Sequence, residues 1–166
     1  RHLKKLGIKS PVFIIDIQQR EDFNHSGNDI ISFMFSANKG SEPQEINKVA
    51  SGGELSRLML AIKYLTALSS SIKTLVFDEI DTGVSGEIAS LMGDMMREIS
   101  NKNQLIVISH LPQIASKAKV HLKVVKKVKY GTTISDVKVL NNEQRVEELA
   151  KLLSGKDITN AAFENA

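Results

Sequence analysis

Two segments in the first third of the chain have patterns typical of β-strands, one rich in β-branched residues and one in which apolar and polar residues alternate with a period of two. Residues 12–17 predict one strand, and residues 29–36, where apolar side chains recur at every second position, predict its antiparallel partner. A polar turn is expected between them at residues 21–28, and a surface loop after them at residues 38–47. Nothing in these opening strands suggests chemistry.

The middle of the chain combines the 3.6-residue period of amphipathic helices with short apolar strands. Residues 53–68 and 88–99 predict two helices, and residues 74–77 and 104–108 predict two strands, the first apolar enough to be covered on both faces. Pro112 is expected to open a further helix. The alternation of strand and helix predicts a parallel sheet. The positions expected to be buried in the two helices are Leu55, Leu58, Met59, Ile62 and Leu65, then Ile88, Leu91, Met92, Met95 and Ile99.

The last third of the chain predicts a β-hairpin and a closing helix. Residues 120–128 and 133–140 read as two strands joined near Gly131, and residues 143–153 as a helix that ends before a short polar tail. The fold class expected is therefore α/β, a mainly parallel sheet flanked by helices with antiparallel β additions.

Composition narrows the class of protein. A chain of 166 residues with 42% hydrophobic and 25% charged residues is long enough for one domain or one lobe with its own core. It has no cysteine, which excludes disulfides and cysteine-ligated metals, and its net charge of +3 is too small to establish a nucleic-acid partner. No apolar run approaches the roughly 20 residues of a membrane span, and no signal peptide is recognisable, so no membrane partner is expected. The start at Arg1 suggests a fragment.

The segment Ser51–Arg57 is the first candidate for chemistry. Gly52 and Gly53 would allow a ligand to approach the backbone closely, and the helix behind them would direct free N–H groups at an anion such as a terminal phosphate. The alternative is that Ser51 and Glu54 form a capping box, which starts many helices that bind nothing.

Two strand ends supply the other candidates. Asp78 and Glu79 follow one predicted strand and His110 follows the next, and ligands of parallel sheets bind at that edge. An aspartate there can hold Mg²⁺, a glutamate can polarise a water, and a histidine can donate to a phosphoryl group. Each also has a structural explanation, because acids at strand ends often cap the next helix and a histidine before a proline segment is often only loop.

Four short motifs occur in the order found in the C-terminal lobe of an ABC-type ATPase head, and the chain resembles that class. They are Ser51–Glu54 as the signature motif, Leu75–Glu79 as the Walker B strand, Asp81 as the D-loop, and Ser109–His110 as the switch histidine. Within that superfamily, residues 49–57, 77–86 and 109–115 resemble the RecN-type DNA repair proteins. The likeness extends from about residue 38 to residue 153.

The resemblance implies a role for each matching residue. Asp78 would help to hold the Mg²⁺ of bound MgATP, Glu79 would be the general base that orients the attacking water, and His110 would contact the γ-phosphate. Hydrolysis would require two heads, with Asp81 at the seam of that homodimer. The residues implied to bind the γ-phosphate held by the opposing head are Ser51, Gly52, Gly53 and Glu54.

One part of such a head is missing from the chain. A P-loop of the form G-x-x-x-x-G-K-[ST] does not occur, since Lys156 is followed by Asp157. The resemblance implies that an N-terminal lobe of the same protein supplies it, and that the fragment alone neither binds ATP tightly nor hydrolyses it. Residues 1–8 would then end a coiled coil, residues 9–153 form the lobe, and residues 154–166 the tail.

The resemblance also implies partners and a location. The full protein would bind DNA, at ends or single-stranded regions, and act in recombinational repair of double-strand breaks in the bacterial cytoplasm, at the nucleoid. The alternatives are the head of another SMC-like chromosome-maintenance ATPase and, with less support, an ABC transporter subunit, whose signature usually has glutamine where Glu54 stands.

A non-catalytic DNA-binding module is an alternative of another class. Residues 117–130 contain six lysines, which could meet phosphates through counterion release. They could equally protect an edge hairpin from strand-to-strand aggregation, and Tyr130 is the only aromatic residue nearby that could stack on a base. The protective role is favoured.

Overall fold

The computed structural model describes residues 1–48, 51–69, 71–129 and 131–155, together with Glu164 and Ala166. Most of the predicted tail at residues 154–166 therefore lies outside the described residues, as do Tyr130 and the first two residues of the 49–57 motif. The chain opens with helix α1 (His2–Lys5), after which Gly7 has φ = +78°, as expected of a glycine that ends a helix.

A three-stranded antiparallel sheet follows α1. Its strands, in spatial order, are β1 (Val12–Asn24), β2 (Gly27–Ser36) and β3 (Gln44–Glu45). The pairing of β1 with β2 confirms the predicted hairpin, with Phe13 opposite Phe35.

The predicted turn and loop of this sheet are wrong in extent. Residues 21–24 belong to β1, because main-chain pairing continues past the apolar stretch and leaves only His25 and Ser26 between the strands. The loop expected at residues 38–47 contains β3 and the start of a 3₁₀ turn (Ile46–Lys48).

Helix α2 (Gly52–Ser69) matches the predicted bounds, but its buried face differs from the predicted one. Met59 and Leu65 are 38% and 51% exposed, so the prediction is wrong for these two residues. The helix packs against α3 through another side, and the side bearing Met59 and Leu65 has no cover within the described residues. The hydrophobic side chains buried in α2 are Leu58, Leu60, Ala61, Tyr64 and Ala67.

The next elements have the predicted order, β4 (Thr74–Asp78), α3 (Gly86–Ser100), β5 (Gln104–Ile108) and α4 (Pro112–Ala115). Strands β4 and β5 are parallel, as predicted, and Pro112 opens α4. The expectation that β4 is covered on both faces is wrong for the described chain. Leu75 and Phe77 are buried, whereas Val76 on the opposite face is 60% exposed.

The main hydrophobic core lies between α2, α3 and the covered face of β4 and β5. Met92 and Met95 are nearly or fully buried in it, which confirms their predicted burial, and Met96, which was not predicted, is buried there too. Leu6, directly after α1, is also completely buried there, so the end of the first helix is anchored to the body of the domain. A smaller core around Phe35 and Leu58 joins the first sheet to α2.

The chain continues with the predicted hairpin and helix, β6 (Leu122–Lys129), β7 (Thr132–Val139) and α5 (Asn142–Ser154). A capping box between Asn141 and Gln144 starts α5. The α/β class is confirmed, but the parallel part of the described chain is limited to β4 and β5, and the other strands pair antiparallel. The strands of a larger parallel sheet would have to come from outside these residues.

Candidate functional site

The glycine-containing segment lies at the N-terminus of α2. The backbone N–H groups of Glu54 and Leu55 donate to the carbonyl oxygen of Ser51, at 3.1 and 3.0 Å, so Ser51 is the residue from which the helix starts. Ser51 and Gly52 are exposed. The segment thus starts an 18-residue helix, and within the described residues Ser51 and Gly52 lie exposed at the positive end of that helix, where an anion could bind.

The ends of β4 and β5 bring together the residues that the sequence placed there. Asp78 lies opposite Ile108 in the parallel register, and the backbone N–H of Glu79 donates to the carbonyl oxygen of Ile108 at 3.1 Å. Glu79 and His110 therefore leave the same edge of the sheet, and the side chains of Asp78, Glu79 and His110 are all exposed. The predicted common edge is confirmed, whereas the chemical roles stay predictions.

Glu79 has an uncommon backbone conformation, with φ = +48°. Side chains other than glycine seldom occupy this left-handed region, and they do so most often where the surrounding structure holds them. Two hydrogen bonds restrain the backbone of Glu79 in this conformation. The backbone N–H and the hydroxyl of Thr82 both donate to the carbonyl oxygen of Glu79, at 3.1 and 2.8 Å. The turn after β4 thus fixes the direction in which Glu79 leaves the strand.

Asp81 is almost completely buried, at 1% exposure. Its Oδ2 accepts a hydrogen bond of 2.5 Å from the hydroxyl of Ser109, the residue that precedes His110. Asp81 is also predicted to lie at the seam between two heads. The structure contains a single chain, so this stays a prediction.

The loop after β4 also contacts the start of α2. The hydroxyl of Ser56 donates to the carbonyl oxygen of Thr82 at 3.4 Å, and Gly53 packs against Gly83. The segments around Ser51, Glu79 and His110, which are far apart in sequence, therefore form one continuous surface.

Sequence reasoning included Thr82 and Ser109 in the motifs but gave neither residue a role. Both stand beside residues that the motifs singled out, and both have hydroxyl groups, which commonly close turns. Their position next to the motif residues could have indicated that they belong to the site. Their hydrogen-bond partners could not be found from the sequence, because those depend on how β4 and β5 are aligned.

The carboxylates at this edge suit a cation that a bound phosphate also coordinates, rather than a cation enclosed by protein side chains alone. The described residues contain no group of three or more His, Asp or Glu side chains that could hold a metal ion. Asp78 and Glu79 offer hard carboxylate oxygens, and Mg²⁺ is commonly bound by one or two carboxylates completed by phosphate oxygens and water. The residues present fit Mg²⁺ bound together with a nucleotide.

A cavity of about 410 Å³ lies between β5 and the segment that leads into β6. Its apolar lining residues include Met96, Leu105, Val107, Ile114 and Leu122. Within the described residues β5 pairs only with β4, so its second edge has no strand beside it. On the uncovered face of the sheet, Val76, Ile106 and Ile108 are 60%, 43% and 52% exposed.

Lys117 and Lys123, two lysines of residues 117–130, are paired with acids. Lys117 forms an ion pair with Asp94 at 2.7 Å, and Lys123 is paired with Glu148 of α5. Lys126 and Lys127 are exposed on β6, and Tyr130 lies outside the described residues. No helix in the described part of the chain has both the length and the apolar character needed to cross a membrane.

No protein-family model matches the chain. The chain is, however, 45% identical over 167 aligned residues to the DNA repair protein RecN of Rickettsia prowazekii, and the match covers all of this chain. The chain spans about 30% of the length of that relative, in its C-terminal part. The resemblance found in the motifs is therefore confirmed over the whole sequence.

Solved structures agree on the fold. An Smc head domain with a coiled coil and joint from Pyrococcus yayanosii has a TM-score of 0.70 at 20% identity, over 92% of this chain and 28% of that one. A structure concerned with ATP-driven dimerisation and DNA-stimulated activation of SMC ATPases has a TM-score of 0.60 at 20% identity, over 95% of this chain and 92% of that one. The chain therefore has the fold of this part of an SMC-type head.

Proposed function

Because the chain resembles RecN-type DNA repair proteins along its whole length, we propose that it forms the C-terminal lobe of the ATPase head of such a protein. The observation that carries this proposal is the common edge at which β4 delivers Asp78 and Glu79 and β5 delivers His110. Residues 9–153 form the lobe in this proposal, and residues 1–8 connect it to a coiled coil.

The arrangement suits hydrolysis of a phosphoanhydride bond. Glu79, whose backbone carbonyl is held by Thr82, would orient and deprotonate the attacking water. Asp78 would hold the Mg²⁺ that accompanies the nucleotide through a carboxylate oxygen. His110 donates a hydrogen bond to the terminal phosphate, whose negative charge grows towards the transition state. Mg²⁺, when bound, neutralises charge on the phosphates.

The segment Ser51–Glu54 serves the nucleotide of a second head in this proposal. Its helix N-terminus is suited to an anion, and a Cβ atom placed on Gly52 would meet no described atom within 4 Å, so the described residues leave space beside it. The SMC ATPases of similar fold, which undergo ATP-driven dimerisation, support a homodimer of heads with Asp81 near its seam.

The N-terminal lobe of the same protein is the first partner that the proposal requires. The open edge of β5, the cavity beside it and the exposed Val76 and Ile106 are features that further strands of one sheet would cover. That lobe also supplies the P-loop, so the 166-residue chain alone has no ATPase activity in this proposal.

DNA is the second partner. In this proposal the full protein acts in the cytoplasm on DNA ends or single-stranded regions during double-strand-break repair. The RecN relatives, which are named DNA repair proteins, support the role in DNA repair. The lysines of residues 117–130 are a weaker candidate for the contact with DNA, because Lys117 and Lys123 are paired within the domain.

The experiment that tests the proposal is steady-state ATP hydrolysis by the full-length protein, with and without linear DNA. Replacing a general base typically lowers the rate by about 10²- to 10⁴-fold, so Glu79→Gln is expected to lose hydrolysis while heads still dimerise with ATP. Glu87→Gln, an exposed acid in the first turn of α3, is the matched control. Normal hydrolysis by Glu79→Gln would overturn the assignment.

A further inference from the structure

We infer that Ser109 and Asp81 are positioning residues that set the conformation of His110, an inference that rests on the function proposed above. Neither residue need touch the nucleotide. The hydrogen bond between them, of 2.5 Å, joins the loop after β4 to the loop after β5.

The hydroxyl of Ser109 acts both as a hydrogen-bond acceptor and as a hydrogen-bond donor. It accepts from the backbone N–H of Leu111 at 3.0 Å, and it donates to Oδ2 of Asp81. The first bond closes a turn with His110 at its centre, so the two neighbours of the histidine are held together. The second bond fixes the Ser109 rotamer that makes the first possible. His110 is exposed, and little else in the described structure holds it.

The burial of Asp81 points to a purpose other than stability. Its carboxylate is almost fully enclosed, yet among the described residues its Oδ1 has no hydrogen-bond partner. A buried, half-satisfied carboxylate costs free energy compared with a neutral side chain of similar shape. We infer that Asp81 is buried in spite of this cost because its carboxylate accepts the hydrogen bond from Ser109.

The same loop meets the signature segment through Gly83 and Thr82, which contact Gly53 and Ser56. In the proposed dimer that segment serves the nucleotide of the opposing head, while His110 serves the nucleotide of its own. The pair of Asp81 and Ser109 thus connects a group acting on one nucleotide with a group acting on the other, within a single head.

The test measures kcat and KM for ATP in the full-length protein. Ser109→Ala is expected to lower kcat by about 10- to 100-fold, the size of effect seen when a supporting hydrogen bond is removed, with KM changed by no more than about threefold. Ser109→Thr keeps the hydroxyl and is expected to restore kcat. Ser116→Ala is the matched control, because its hydroxyl donates to the Gln113 carbonyl oxygen in α4, away from Asp81. In a double-mutant cycle with Asp81→Ala, the two decreases in kcat should not multiply.

The outcomes separate this inference from the function on which it rests. If Ser109→Ala keeps its kcat while Glu79→Gln loses hydrolysis, the ATPase assignment stands and the positioning role is overturned. A raised KM at unchanged kcat overturns it too, and so does a failure of Ser109→Thr to recover activity. If Ser109→Ala does not fold, Asp81→Asn keeps the side-chain shape but weakens the bond, and an unchanged kcat there contradicts the inference.

Discussion

Gly53 in the first turn of α2 and Gly83 in the loop after β4 are packed so closely that a Cβ atom on Gly53 would lie 2.6 Å from the carbonyl oxygen of Gly83. This contact brings the signature segment and the loop of Asp81 together as one surface. Gly83 also has φ = +75°, a conformation that a larger residue would hold only under strain.

Gly53→Ala is therefore expected to destabilise the protein. The added methyl group must displace the backbone at Gly83, and overpacking of this kind typically costs about 1–3 kcal/mol. Gly52→Ala is the matched comparison for stability, because a Cβ atom there would meet no atom of the described residues within 4 Å. Thermal unfolding of the full-length protein measures both, and equal melting temperatures for the two variants would contradict the packing argument.

The stability of the domain should depend on pH through His121. Burial, followed by the positive charge of Arg145, lowers the pKa of His121 below its ordinary value of 6.5, while Glu148 opposes the shift and Lys123 adds to it. The folded state therefore binds this proton less readily than the unfolded state does. The contribution to stability is complete above about pH 6.5 and is lost as the pH falls below that value.

His121→Gln isolates that contribution. The melting temperature of the full-length protein should fall less between pH 7.5 and pH 5.5 in this variant than in the wild type. His2, whose pKa is also lowered, chiefly by burial, remains in both proteins and contributes equally. A wild-type pH dependence that persists unchanged in the variant would rule out His121 as a source.

The open edge of β5 predicts how the chain behaves when it is produced alone. We expect the isolated 166-residue chain to bind a hydrophobic dye and to self-associate, because unpaired edges and exposed apolar faces favour strand addition. Co-production with the rest of the protein should give a 1:1 complex without dye binding.

A pair of substitutions tests which surface forms that complex. Ile106→Asp should prevent the complex, whereas Thr133→Asp, on the exposed strand β7, should not. If the isolated chain were monomeric and did not bind the dye, the proposal that strands of another lobe cover the edge of β5 would be contradicted.

The lysines on β6 are expected to contribute little to DNA binding. Reversing the charge of Lys126 and Lys127 should leave the affinity of the full-length protein for linear DNA within about twofold of the value for a control reversed at the exposed Lys63 and Lys73. The salt dependence is the sharper measurement, because the slope of log K against log salt falls by about 0.9 for each phosphate that the protein no longer neutralises. A slope reduced by about two units would make this hairpin a DNA-binding surface.

In the proposed arrangement, the apolar positions that were predicted to be buried but are exposed in the described chain are those that the rest of the head would cover. The period of α2 marks Met59 and Leu65 as buried, and the composition of β4 marks Val76 as covered, yet all three are exposed here. Hydrophobic patterns record burial in the whole protein, so they overstate burial in a part of it. The positions that pack within the lobe, such as Met92 and Ile99, were predicted correctly.

The site shows a different limit of prediction. Motif spacing and the rule that ligands bind at the carboxyl ends of parallel strands were enough to place Asp78, Glu79 and His110 at one edge. The bond between Asp81 and Ser109 could not be predicted, because it depends on the register of two strands and on the turn at Glu79, and neither leaves a periodic signal.

The open edge of β5 also bears on the order of protein synthesis. Domains made early in translation generally fold first, and in the proposed arrangement the N-terminal lobe leaves the ribosome before this chain does. The strands that would lie beside β5 are then already present when β5 emerges, and the edge is unprotected only briefly. A gene rearranged so that this lobe is translated first would prolong that exposure, and chaperone demand and inclusion-body formation should rise accordingly.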